Sequence, residues 1–298
     1  MERSREHWYE REEIKKITAD WVKENCKLTS REKELLPIIH DRKLVRRDHL
    51  EIISDAYRNA GSNRTILLNR AIKKLFKMMI LDKFHQRQEY GKGSFPATIS
   101  IDRAGSLILG VPHKRRIIQD VSSFKGMDYV KRRLPANFRH INGVNQLEVD
   151  TILLCEQLGC MKLLWELEKP KSFKHNDSQI ILIPDVLMVL DVGGRKLAAF
   201  IEYDTGSEGI REKEPKVLKD KILNYRKYRT SKLWEDEEWQ RFFSAPTFPI
   251  LLFVTDDEKR IEFFQHKADE SKIKTISMHT TKYREVLKKL IEIYQKNN

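Results

Sequence analysis

Two apolar runs, residues 180–190 and 197–203, flank Val192-Gly193-Gly194-Arg195. A Gly-Gly pair between such runs is a strong signal for a two-residue hairpin turn, so the pattern predicts an antiparallel pair. With Gly193 and Gly194 in the turn, Val192 faces Arg195 and Asp185 faces Glu202, while strand alternation puts Asp204 on the face of Glu202. Upstream, residues 139–158 read as a helix with Ile141, Val144, Ile152 and Cys155 on its apolar face and Asn145 and Glu148 on that same face; a strand follows at 161–167. Downstream, EPKVLKDKILNYRKYRT (214–230) reads as a helix with Pro215 in its first turn, where the missing N–H costs nothing. At 100° per residue Val217, Leu218, Ile222, Tyr225 and Tyr228 share one face, and Lys221 projects from its middle. An acidic surface loop at 235–238, strands at 248–254 and 273–278 and an amphipathic helix over 281–295 complete this half.

The first half reads as helical, then β. Residues 1–28 form an appended charged helix, and Thr29-Ser30-Arg31-Glu32 fits a capping box opening a helix through Leu35, Leu36, Ile38 and Ile39 that Pro37 should kink. A helix over 46–60 and a third over 64–83 follow, the latter with Ile66, Leu67, Ala71, Leu75, Met78 and Met79 facing the core. A strand at 84–90, a turn at Gly91-Lys92-Gly93 and a strand at 97–101 come next. Three helices and a glycine-tipped hairpin are the layout of a winged helix-turn-helix, whose third helix enters the DNA major groove. Residues 112–138, with His113-Lys114-Arg115-Arg116 and Lys131-Arg132-Arg133, read as a basic linker. The expected organisation is a charged helix (1–28), a winged-helix domain (29–111), the linker (112–138) and a mixed-sheet α+β or α/β domain flanked by helices (139–298).

Charge sharpens this division. The 298 residues carry a formal charge of +13; residues 1–140 hold 31 Lys and Arg against 18 Asp and Glu, whereas 141–298 hold 26 of each. A basic first half suits a polyanion, with Arg64, Arg70, Lys73, Lys74, Lys77 and the wing-tip Lys92 as phosphate contacts. No run approaches the roughly 18 apolar residues of a membrane helix, and Met1–Glu10 is charged, so no membrane partner and a cytoplasmic location are expected. Cys26, Cys155 and Cys160 lack a C-X-X-C spacing and are expected to be reduced, without a zinc site.

Directly opposed carboxylates sit roughly 5 Å apart and repel, unless a cation such as Mg²⁺ or Mn²⁺ lies between them. A solvated hairpin face is the plain alternative, but the apolar flanks of Asp185 and Glu202 argue for acids that interrupt a buried sheet. The hairpin resembles the core of the PD-(D/E)XK nuclease superfamily, with Pro184-Asp185 as the PD and Glu202-Tyr203-Asp204 as E-X-D where the family has E-X-K. The resemblance implies Mg²⁺ or Mn²⁺ on Asp185 and Glu202, with Asp204 and Glu148 as further ligands, and Lys221 as the lysine relocated onto a helix. The alternative for Lys221 is a side chain snorkelling over an apolar face. Glu208 reads as a loop acid.

At finer grain the chain resembles the replication-relaxation family, through His140 and Asn145, EYDTGSE at 202–208, Lys221 and Tyr225, and ISIDRAGSLILG at 99–110. This implies plasmid or mobile-element DNA as partner and a role in replication or relaxation, while the PD-(D/E)XK resemblance implies Asp185, Glu202, Lys221 and Asp204 as catalytic residues of a metal-dependent nickase or endonuclease. One such site cuts one strand, so cutting both requires a homodimer. The rival expectation is a replication initiator or regulator with a silent nuclease-like domain that docks a second copy or replication proteins.

Overall fold

The computed structural model describes residues 16–85, 95–124, 127–175, 178–206 and 216–296. The chain divides into two units, residues 1–145 and 146–298.

In the first unit, Thr18 caps α1 (Ala19–Asn25) by accepting the Trp21 N–H. The capping box forms at α2 (Ser30–Arg42): the Thr29 hydroxyl accepts the Glu32 N–H at 3.2 Å, and the Glu32 carboxylate accepts the Thr29 N–H at 2.9 Å. This helix continues through Pro37 and buries Leu35, Leu36 and Ile39. β1 (Val45–Arg46) precedes α3 (Arg47–Ile53) and α4 (Asp55–Arg58), so the helix expected over 46–60 is two short ones. The break is at Ser54, which takes an extended ψ of 118°; its hydroxyl and the Ala56 N–H both donate to Glu34 Oε1, at 2.6 and 3.2 Å.

α5 (Arg64–Lys77) ends well short of the expected residue 83. Met79 adopts φ 52°, letting the Ile80 N–H reach the Leu75 carbonyl at 3.0 Å. That stop is usually signalled by glycine, which is absent here. The buried stripe is Leu68, Ala71, Ile72, Leu75 and Phe76; the expected stripe was rotated, and Ile66 is exposed. β2 (Leu81–Phe84) and β3 (Thr98–Ile101) pair antiparallel, and β1 flanks β3 to give the order β1-β3-β2. Most of the strand expected at 84–90, and the turn containing Lys92, lie outside the described residues.

α6 (Arg103–Leu109) packs tightly on the strand end: a Cβ on Gly105 would stand 2.3 Å from the Ile80 carbonyl oxygen. Where a linker was expected, β4 (Ile118–Phe124) and β5 (Met127–Arg133) form an antiparallel hairpin. Basic composition masked the strand signal there. Arg132, placed in the expected basic linker, grips both carboxylate oxygens of Asp82 at 2.6 and 2.7 Å and the Lys83 carbonyl at 3.1 Å.

The division of the chain falls within α7 (Phe138–Leu158). In its first turns Ile141 packs with Leu44 and Ile117, and Asn145 donates to the Leu44 carbonyl at 2.9 Å. The second unit continues with β6 (Met161–Leu167), β7 (Lys171–His175), β8 (Ser178–Leu182), β9 (Val186–Val192), β10 (Arg195–Asp204) and α8 (Lys216–Ser231). Two 3₁₀ turns (Leu233–Asp236 and Glu238–Phe242), β11 (Ile250–Thr255), α9 (Glu258–Glu270), β12 (Thr275–His279) and α10 (Tyr283–Lys296) follow.

The result is a mixed five-stranded sheet of order β12-β11-β10-β9-β6, flanked by helices and antiparallel on the β6 side of β10 but parallel from β10 to β12. The run expected over 180–190 splits at Ile183-Pro184-Asp185, because β8 pairs with β7 whereas β9 joins the sheet. Pro184 has no N–H for either ladder. Phe200, Tyr225, Tyr228, Leu251, Phe253 and Phe264 fill the core under α8 and α9. Trp234 and Trp239 join them and pin the segment expected to be an acidic surface loop. Among the described residues no helix is long and apolar enough to cross a membrane.

Candidate active site

Strands β9 and β10 pair from Arg195 with Val192 to Ile201 with Val186, the register that a Gly193-Gly194 turn dictates. Asp185 stands immediately before β9, and its Oδ2 accepts the Tyr203 N–H at 2.8 Å, which holds this carboxylate at the end of the hairpin. Glu202 is buried within β10. α8 supplies both of its side-chain partners from successive turns, because residues four apart lie on one helical face. The Tyr225 hydroxyl donates to Glu202 Oε1 at 2.5 Å, and the Lys221 ammonium pairs with Glu202 Oε2 while lying 3.9 Å from Asp185 Oδ1.

Burial pushes the Glu202 carboxyl up to about 8; Lys221 opposes that rise, Asp185 adds to it, and Tyr225 opposes it. The Tyr225 hydroxyl is held well above its ordinary range by burial and by the adjacent Glu202. An acid in this environment ionises only with a cation beside it. The fold provides one in Lys221.

The other expected acids have separate partners. Asp204 Oδ2 accepts from Arg260 of α9 at 2.5 Å and its Oδ1 accepts the Gly206 N–H at 3.0 Å, so both oxygens are engaged. Glu148 is fully buried and pairs with Lys162 of β6 at 2.6 Å. The structure thus brings together Asp185, Glu202, Lys221 and Tyr225, and directs Asp204 and Glu148 to other cations. Glu208 lies outside the described residues. Arg260, buried and 56 residues beyond Asp204, escaped the sequence reading because its own helix carries no sign of its partner.

Among the described residues no three His, Cys, Asp or Glu side chains form a metal cluster. Two carboxylates that already share one cation are nevertheless a fitting donor set for Mg²⁺, which commonly takes one or two carboxylates and keeps several waters. Asp185 and Glu202 would hold it.

In the first unit, two of the expected phosphate contacts have structural work within the fold: Arg64 pairs with Glu51 at 2.9 Å, and Lys74 pairs with Glu32 at 2.8 Å. Arg70, Lys73 and Lys77 are exposed, and at 100° per residue they share a face of α5 with Ile66, which is 52% exposed. Lys92 lies outside the described residues.

Residues 39–240 match the family model described as Replication-relaxation. No curated protein matches the chain. The crystal structure of protein VC1899 from Vibrio cholerae is similar at 11% identity and a TM-score of 0.32 over 90% of this chain; the match spans 57% of the VC1899 chain and is too distant to carry an argument.

Proposed function

We propose, from the premise that the chain belongs to the replication-relaxation family, that it is a DNA-binding protein of plasmid or mobile-element replication or relaxation whose second unit nicks DNA by metal-dependent phosphodiester hydrolysis. The observation that carries this reading is the convergence of Asp185 and Glu202, from the two arms of one hairpin, on the ammonium of Lys221. One acid before the turn, one after it and one lysine match the three functions of a PD-(D/E)XK site. The lysine comes from α8 because the position that carries it in E-X-K is Asp204, whose carboxylate is committed to Arg260.

A bound Mg²⁺ or Mn²⁺ would polarise the phosphate and lower the pKa of a bound water. Asp185 and Glu202 would hold that ion, with Asp185 kept in place by the Tyr203 N–H and Glu202 by the Tyr225 hydroxyl. Lys221 would orient the attacking water and balance charge on the phosphate. One such site breaks one strand, which suits relaxation of a supercoiled plasmid; a double-strand break requires a second copy of the chain.

The first unit supports the DNA-binding part of the proposal. Its order α2, β1, α3, α4, α5, β2, β3, with the sheet β1-β3-β2, resembles that of a winged helix-turn-helix and supports α5 as the helix for the major groove. Replacing Arg70, Lys73 and Lys77 together by alanine should weaken duplex binding for all sequences and reduce the salt slope of log K by about 0.9 per lost phosphate contact. Fluorescence anisotropy across a salt series measures both.

One observation favours a second reading, an initiator or regulator with a silent nuclease-like unit: Glu202 is almost fully buried and the protein's own lysine already neutralises it. Plasmid replication assays on Asp185→Ala and Lys221→Ala separate the two readings. Function that survives both substitutions, with DNA binding intact, favours the silent unit.

A further inference from the structure

Two acids at the end of one hairpin, with a single ammonium against both, raise the question of how a divalent ion would enter. We infer that Lys221 is a resident counter-ion occupying the cation position, and that a DNA phosphodiester opens the carboxylate pair to a divalent metal by drawing that ammonium away. This rests on the nuclease reading and adds to it a rule of order: substrate and metal load together.

The geometry carries the argument. Lys221 touches Glu202 Oε2 and lies 3.9 Å from Asp185 Oδ1, so its ammonium occupies the space a shared ion would need. A divalent ion on the same oxygens would place two positive centres within a few ångströms of each other, an arrangement strongly unfavourable away from bulk water. One of them must leave. Lysine is suited to leaving: its charge is a compact point at the end of a flexible stem, and the ammonium moves by side-chain rotation without moving the helix. The Lys221 side chain is also the more exposed member, while the carboxyls remain fixed by Tyr203 N–H and the Tyr225 hydroxyl.

An incoming phosphodiester offers the ammonium a new anion at the mouth of the site. Once Lys221 turns to it, the carboxylate pair lacks its cation and attracts the metal. Linkage then requires reciprocity: DNA tightens metal binding by the same factor as metal tightens DNA binding at this site.

The test is calorimetric titration of Mn²⁺ into the full-length protein, alone and with a duplex oligonucleotide that a gel shows to be still intact afterwards, for wild type, Lys221→Met and Lys221→Gln. Wild type should bind Mn²⁺ about tenfold more tightly with DNA than without, in line with the effect of one close charge. Lys221→Met should bind Mn²⁺ about tenfold more tightly than wild type without DNA and gain nothing from its addition. Lys221→Gln, which retains a hydrogen-bond donor, should behave in the same way and guards against a folding defect in the methionine variant; melting curves in chelator check both. Wild-type or weaker Mn²⁺ affinity in both folded variants overturns the inference while leaving the nuclease reading standing. Absence of Mn²⁺ binding in every protein, with and without DNA, overturns both.

Discussion

The second unit builds a similar set of groups twice, with burial inverted. In one cluster Lys171 pairs with Glu166 and Glu237, at 3.4 and 2.8 Å, and Tyr228 donates to Glu237 at 3.0 Å. In the other, Lys221 pairs with Asp185 and Glu202, and Tyr225 donates to Glu202. Each sets one lysine between two carboxylates, one of which accepts from a tyrosine; the first also has Lys169 on Glu166 at 2.9 Å, and the two tyrosines lie a turn apart on α8. In the first the lysine side chain is 1% exposed and the acids 21% and 24%; in the second the lysine is 28% exposed and the acids 15% and 2%. The sealed lysine of the first cluster cannot be exchanged for a solute ion, so the cluster ties β7 to the 3₁₀ segment. The sealed acid and open lysine of the second leave a cation that can be displaced. The two differ in which member solvent reaches.

The largest expected effect breaks the comparison at the lysines. Lys221→Met should lower metal-dependent nicking by about 10²–10⁴, the usual scale for a group that assists proton transfer, whereas Lys171→Met should leave it within a few-fold. Initial rates on supercoiled plasmid measure both.

Stability should run the other way. Removing the buried Lys171 leaves Glu237 without its cation, while Glu166 keeps Lys169, and should cost about 3 kcal/mol, the low end for a broken buried pair. Lys221→Met should cost less, because burial already holds Glu202 toward its neutral form, which needs no cation. Chemical denaturation in chelator checks the order.

The pH dependence sharpens the contrast. Glu202 holds its proton in the folded protein up to about 8, against an ordinary value of 4.5 that stands for the unfolded chain. Between those values the folded state binds the extra proton, so stability must fall as pH rises across that window, by on the order of a few kcal/mol in chelator. Glu202→Gln should remove that slope, and Glu237→Gln should leave it in place, when melting is followed from pH 4.5 to 8.5.

The smallest effects belong to the tyrosines. Tyr225→Phe and Tyr228→Phe should each cost about 1 kcal/mol of stability. Only Tyr225→Phe should also weaken Mn²⁺ binding, by about tenfold or more, through the loss of a group that orients a ligand.

The second cluster was largely legible in sequence, and the first was not. Gly193-Gly194 sets the register that puts Asp185 against Glu202, and helical spacing places Lys221 and Tyr225 on one face, so short-range rules suffice for three elements. Lys171 lies on β7, a stretch to which the sequence pattern assigns no element, and Glu237 lies in a segment read as an acidic loop, so nothing local joins them to Glu166. Asp204 was assigned to the site by strand parity, which fixes a face but not a partner; Arg260 arrives from a helix across the chain. In the first unit α5 was read too long because Met79 ends the helix without a glycine signal, and the β4–β5 hairpin was hidden by its charge. Local periodicity carries well over a turn or a hairpin, and it gives out where a long-range ion pair or an unusual backbone conformation decides.

The most direct test of the central claim is incubation of the purified protein with supercoiled plasmid in Mg²⁺, in Mn²⁺ and in chelator, beside Asp185→Ala. The account predicts conversion to open circle with either metal, none in chelator and none with the variant. Salt-sensitive DNA binding without conversion in either metal, or equal conversion by Asp185→Ala, would contradict it.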